Sequence, residues 1–326
     1  MRFYVLVLVI LIASTAIGAE EKKEPLFNYT VDISEQYGLW AYPRFFSPEE
    51  PYIDYHIKPA GYTALGGDVT YIPLGLKLGG NLEVDNNVIG KVRRYNALMG
   101  ITKLYFRVEQ GAYAGSAYWS GYHVVGLPRS AEFNYTFTQV DAMYQVGPDG
   151  FLGLRYTSFA SPVEVVTLKK DSSDSELLYG NSFFDPGYHI KFYSLTIGFD
   201  TFRSATAIFN ASRQGWDMFI STSDGFGLGQ SQLSQQGIKT AKIVNDGKSL
   251  ADSRFTTGVI QYEIIPGIKY RKETQSYSFS IGVGYGFFGL ALFSFSGPPS
   301  PDQVSASFSM TTFVRHGPVI KAQWIF

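Results

Sequence analysis

Cysteine is absent from the 326 residues of this chain. That excludes disulfide frameworks, thiolate metal sites, cysteine nucleophiles and a lipid-anchored N-terminal cysteine. Histidine is scarce, with 4 residues standing apart from one another. No His or carboxylate spacing reads as a metal site, and no cofactor is expected. Charged residues make up 17% of the chain, with a formal net charge of −1. Nucleic acid is therefore not an expected partner, because phosphate binding needs a basic excess gathered on one surface. After the first residues there is no long apolar run, so membrane-spanning helices are excluded.

Aromatic residues are plentiful at 16%, glycine is abundant at 34 residues, and mean hydropathy is near zero. Such a composition suits apolar residues spread at alternate positions, and the chain shows that spacing repeatedly. In Tyr277 to Phe287, one face is Tyr277, Phe279, Ile281, Val283, Tyr285 and Phe287, and the other is only Ser and Gly. Val304, Ala306, Phe308 and Met310 alternate with Ser305, Ser307, Ser309 and Thr311. Ala142, Tyr144 and Val146 precede Gly147-Pro148-Asp149-Gly150, and Leu152, Leu154 and Tyr156 follow. A period of two is that of a strand with one apolar face, and Pro-Asp-Gly supplies a tight turn, so the last case is a hairpin. In a soluble protein these faces need a second sheet to cover them, whereas in a barrel lipid covers them.

The two ends of the chain add to this reading. Arg2 is followed by the apolar run Phe3 to Ala13 and by Ser14 to Ala19, with an apolar Ile17 and a small Ala19 ahead of Glu20. That pattern predicts a signal peptide over 1–19, cleaved before Glu20; the run is too short to span as a helix. At the other end, Pro318 to Phe326 alternates, with Ile320, Ala322, Trp324 and Phe326 on one face and Lys321 and Gln323 on the other. This stretch resembles the closing strand of bacterial outer-membrane β-barrels, whose terminal aromatic is read by the barrel-assembly machinery. The resemblance implies an all-β fold: a closed antiparallel up-and-down transmembrane β-barrel with short periplasmic turns and longer extracellular loops. It also implies a Gram-negative outer-membrane location, with lipid and lipopolysaccharide around the barrel and Trp324 and Phe326 as assembly signal.

Alternation predicts strands near 69–84, 91–108, 111–125, 132–146, 151–168, 188–199, 202–220, 255–265, 268–275, 277–295, 304–315 and 318–326. That is twelve strands within a range of 10 to 14, with Phe27 to Ile33 and Tyr52 to Ile57 as candidate additions. Residues 20–326 read as a single domain, and 20–66 as either a lumen segment or the first hairpin. Counted back from Phe326, the turns at Gly147–Gly150, near Asp200-Thr201 and at Pro266-Gly267 fall on the periplasmic side. Ser296–Gln303 joins them there, while Lys169–Gly187 and Thr222–Arg254 fall outside.

Charges on alternating strands are expected to face the lumen, because an Arg or Lys on the lipid face at midplane costs about 2–4 kcal/mol. The candidates are Lys103, Arg107, Arg155, Glu263, Lys269, Arg271 and Lys321, either bracing the interior or setting selectivity. Gly284 to Gly289 fits the dinucleotide fingerprint formally, but the alternation continues through it without turning into a helix. The inward glycines of this stretch are expected to relieve crowding where another segment packs closely. His189 and Asp185 are the pair to test for catalysis, as outer-membrane proteases and phospholipases place such groups at the rim. The expected function is a monomeric channel for passive diffusion or uptake of a small-molecule solute. The alternatives are a plugged transporter of hydrophobic compounds resembling long-chain fatty acid transporters, an outer-membrane hydrolase, and a structural or adhesive barrel.

Overall fold

The computed structural model describes residues 26–41, 52–56, 60–86, 92–120, 130–161, 188–203, 208, 214–233, 254–295 and 308–326. The expected cleavage site at Ala19 and residue Asp185 lie outside them. The strands are β1 (Phe27–Ala41), β2 (Tyr52–His56), β3 (Ala60–Tyr71), β4 (Leu76–Asp85), β5 (Val92–Ile101), β6 (Leu104–Ser120), β7 (Ser130–Val146), β8 (Gly150–Ser161), β9 (Tyr188–Asp200), β10 (Gly215–Leu233), β11 (Arg254–Glu273), β12 (Ser278–Phe295) and β13 (Phe308–Ile325). Every neighbouring pair is antiparallel, and β1 pairs with both β3 and β13, so all but β2 close into a twelve-stranded barrel. β2 lies beside the end of β6, Tyr52 opposite Ser120 and His56 opposite Ser116, past the point where β5 stops.

The period of two sets which side chains meet what. Along β9, Phe192, Ser194 and Thr196 are 0–2% exposed while Tyr193, Leu195 and Ile197 are 55–70% exposed. The same split runs around the ring: Leu78, Met99, Phe106, Leu154, Leu228, Val283 and Ile320 point out, and Glu109, Asp141, Arg155, Lys269 and Gln323 point in. Each large apolar side chain gains about 1.5–3 kcal/mol on leaving water. An outer belt of this kind is stable in hydrocarbon, where a closed ladder also satisfies the backbone. Aromatic pairs ring the end that carries Phe326, including Phe279–Trp324 at 4.9 Å and Trp216–Tyr270 at 5.4 Å. Phe326 itself exchanges backbone hydrogen bonds with Tyr29, completing the seam.

Strand boundaries differ from the sequence reading in instructive ways. The stretch 69–84 is two strands, parted at Ile72–Leu74 by a single 3-10 turn that ends on Gly75 in the left-handed region (φ 59°). Ile72, Pro73 and Leu74 are apolar, so nothing polar marked this turn. The break expected after 108 lies instead at Thr102-Lys103, and β10 begins at Gly215 rather than 202. Pro266-Gly267 and Gly317-Pro318 are not turns but interior positions of β11 and β13. The ladder to β12 lapses at Ile265 and Pro266, and the ladder to β1 lapses at Gly317 and Pro318. A proline without an N–H is tolerated where a ladder lapses in this way. Two strands lost to these mergers and two gained at β1 and at the β3–β4 split leave the count at twelve.

Connections at the Phe326 end are short turns, with one exception, the stretch 201–214 between β9 and β10. The link between Phe295 and Phe308 leaves from the opposite end, because Ser278 pairs with Ile325 and Phe295 with Phe308. Ser296–Gln303 is therefore not on the side of Phe326, as had been expected. The region 20–66 contributes β1, β2 and the start of β3, and β1 and β3 pair antiparallel.

Candidate functional site: a charged waist and a folded-in turn

Register alone brings the central ions together. Arg107 on β6 lies opposite Asp141 on β7, and Asp141 lies opposite Arg155 on β8. All three point inward, and Asp141 is gripped from both sides: by Arg107 Nε at 2.8 Å and Nη2 at 2.6 Å, and by Arg155 Nε at 2.8 Å. Gln139 Nε2 donates to the same carboxylate at 3.1 Å, and Arg155 Nη2 reaches Ser223 Oγ on β10 at 2.9 Å. Gln261 Nε2 on β11 donates to Gln139 Oε1 on β7 at 3.3 Å, joining walls that are not neighbours.

A bulge adds two more cations. Glu83 pairs with Arg94 and Val84 with Val92, which leaves Arg93 as an extra residue on β5. Such an insertion turns two consecutive side chains to one face. Arg93 Nε then donates to Asp85 Oδ2 at 2.9 Å, and Arg94 Nε lies 3.2 Å from Glu109 Oε1. At the centre remains a cavity of about 30 Å³ whose wall includes Arg94, Arg107, Glu109, Arg155, Gln261 and Glu263. Thr157 Oγ1 and Gln261 Oε1 are buried there without a protein partner, so the space suits water.

Apolar layers lie on either side of this waist. Towards the far end Tyr62, Phe159, Phe192, Val259, Leu290 and Leu292 form one cluster. Towards the Phe326 end the cluster is Phe202, Phe219, Ile265 and Val319. Phe202 is not a wall residue: it belongs to the turn Thr201–Arg203, which folds back into the mouth. Phe202 N donates to Asp200 Oδ1 at 3.1 Å, Ile220 N donates to Thr201 Oγ1 at 2.8 Å, and Lys269 Nζ donates to the Thr201 carbonyl. The Phe202 ring packs edge-on against Phe219 at 4.9 Å, with Lys321 Nζ 5.6 Å from its centre. Gly282 makes room for it, since a Cβ there would stand 2.9 Å from Phe202 and 3.0 Å from Phe219. Arg203 crosses to the opposite wall, with Nη2 2.5 Å from Asp32 on β1 and Nη1 3.8 Å from Asp68 on β3. Crowding alone would lower its pKa, but Asp32, Asp200 and Asp68 outweigh that and hold it above the ordinary value.

Of the charges singled out in the sequence, Arg107, Arg155 and Glu263 stand at the waist and Lys269 and Lys321 touch the folded-in turn. Arg271 is buried near the mouth, 3.9 Å from Glu273. Lys103 does not share the inward face of Arg107; it stands exposed in the turn before β6. His189 is exposed on the outward side of β9. Sequence reasoning missed Arg93 and Arg94, because strict alternation sends one of two adjacent arginines into lipid. It also missed Asp32, Asp68, Asp141, Phe202 and Arg203; the run of inward glycines around Gly282 was the available sign that something packs there.

Fold and site together define a closed barrel with an apolar outer face and an ionic interior. Solved structures similar to it include the outer membrane protease OmpT of Escherichia coli (9% identity over 94% of this chain and 99% of that chain, TM-score 0.29). Others are OccK11 (OpdR) of Pseudomonas aeruginosa (11%, 92% and 96%, 0.20) and a deltaS2 mutant of the TodX monoaromatic hydrocarbon channel (10%, 92% and 89%, 0.25). These likenesses are too slight to carry an argument about fold or function. No family model and no curated protein matches the chain.

Proposed function

We propose that this chain is an outer-membrane channel of a Gram-negative bacterium that passes small polar or charged solutes. The observation that carries the reading is the waist, where Arg94, Arg107 and Arg155 surround a water-sized gap together with Glu109 and Glu263. Burying ions is costly, and apolar filling of similar volume seals an interior at least as well. The flanking layers are filled in that way. Opposed charges around a wet gap are what a route needs to replace the hydration of a passing ion. In this reading lipid and lipopolysaccharide cover the belt, the barrel-assembly machinery reads Trp324 and Phe326, the Phe326 end is periplasmic, and a monomer suffices without a cofactor.

The test is ion selectivity in planar bilayers under a KCl gradient. Arg107→Gln with Arg155→Gln should move the reversal potential towards cation preference. An unchanged reversal potential in a conducting barrel would remove the waist from the route. A second reading, passage of hydrophobic compounds, has its own observation in the inward layer of Phe159, Phe192, Leu290 and Leu292. Uptake of a fluorescent fatty acid into proteoliposomes, lost on Phe192→Asp, would favour it.

A further inference from the structure

From the folded-in turn we infer that Asp200–Arg203 is a gate at the Phe326 mouth, closed by an Arg203 latch; the inference rests on the channel reading above. The connection from β9 to β10 is longer in sequence than the others at this end, and its described start, Thr201–Arg203, enters the lumen. Its two sides are held by different forces. Thr201 and Phe202 are 1–3% exposed and lean on β10, β11 and β13 through packing and hydrogen bonds. Arg203, 46% exposed, is the part that reaches β1 and β3, and it does so through carboxylates alone. A half-exposed ion pair is weak and screened by salt, whereas an aromatic seated in a glycine-lined socket is neither. With its charged side released, one ring and its hydrogen bonds are all that keep the turn in the mouth, and the turn, Thr201 and Phe202 included, leaves the lumen as a unit.

The carboxylates are themselves steadied for this task. Asp32 accepts from Gln323 Nε2 at 2.8 Å, and Asp68 is held by Lys77 Nζ at 3.1 Å, so both remain in place when Arg203 leaves. Lys321 lies over Phe202 and Phe219 and reaches Ser221 Oγ at 3.3 Å, so the closed turn also covers one cation of the lumen. Opening would uncover Lys321 together with Asp32 and Asp68, giving the mouth charges of both signs.

The experiment compares full-length barrels in planar bilayers: wild type, Arg203→Glu, and Arg203→Glu with Asp32→Arg. The gate predicts that Arg203→Glu raises time-averaged conductance by about fivefold or more, the order produced when an ion-pair cluster stops biasing a two-state turn. The reversed pair should return conductance towards wild type. Because the chain has no cysteine, Thr201→Cys reports the turn directly. A water-soluble thiol reagent should label it slowly alone and about tenfold faster with Arg203→Glu, as expected for a shift between covered and open states. Equal conductance and equal labelling in all barrels would overturn the gate and leave the channel standing. Faster labelling without added conductance would show a turn that moves but seals nothing, and would also overturn it. Silence of every variant, in barrels that retain their β circular dichroism, would remove the channel and the gate with it.

Discussion

The wall of the barrel has two unlike halves. β10 to β13 run 18–20 residues each, whereas β3 to β5 run 10–12. A tilted strand needs about 9–11 residues to cross the hydrocarbon, so the short half does little more than span. Their interiors differ as well. The tall half presents Phe219, Val259, Ile265, Leu290, Leu292 and Val319 to the lumen beside the charges of β11 and β13, and the short half presents Asp68, Lys77, Glu83, Asp85, Arg93 and Arg94, with Tyr62 as its large apolar contribution. The apolar layers are concentrated on one side and the ion pairs on the other. Arg315 on β13, 3.6 Å from Glu83 on β4, is one of the links between them. Packing fixes a surface, while ion pairs at a wet boundary are released by salt or by a competing charge, and the turn at 200–203 uses one on each side.

That contrast can be broken by substitution. Phe219→Ala, on the packed side, removes a ring that is 2% exposed and should cost about 3–5 kcal/mol. Urea unfolding of the detergent-folded barrel measures it, and the loss should not depend on salt. Asp85→Ala, on the paired side, strips the Arg93 guanidinium of its partner and should cost about 2 kcal/mol by the same assay. Asp68→Asn weakens contacts to Lys77 and Arg203 at once and should cost about 1 kcal/mol, shrinking as salt rises. Lys103→Ala, in an exposed turn outside both networks, should change the midpoint by less than about 0.5 kcal/mol. If Phe219→Ala and Asp68→Asn responded alike to salt, the two halves would not differ in the way their side chains indicate.

Much of the wall was legible because alternation is a local signal. Tyr277 to Phe287 reads as a strand without reference to anything distant, and Pro148-Asp149-Gly150 announces its turn. Polarity and proline mark strand ends less faithfully. Ile72-Pro73-Leu74 turns although it is apolar, and Pro266 and Pro318 sit inside strands because a ladder lapses beside them. The site was harder to read for a different reason. Arg107 and Arg155 were recoverable as charges on an otherwise apolar-alternating strand, but Asp141 gains its meaning only from register with both of them. Phe202 and Arg203 meet β12, β1 and β3 across the lumen, a relation between distant segments that no local pattern encodes.

The account depends on the outward belt meeting lipid, and β9 offers the most direct test. Spin labels placed singly at 193, 195 and 197, in barrels reconstituted into bilayers, should relax strongly with oxygen and weakly with a water-soluble nickel chelate. Labels at these positions that responded to the chelate as fully as exposed turn residues such as 103 would place water there, and would contradict the barrel's membrane setting.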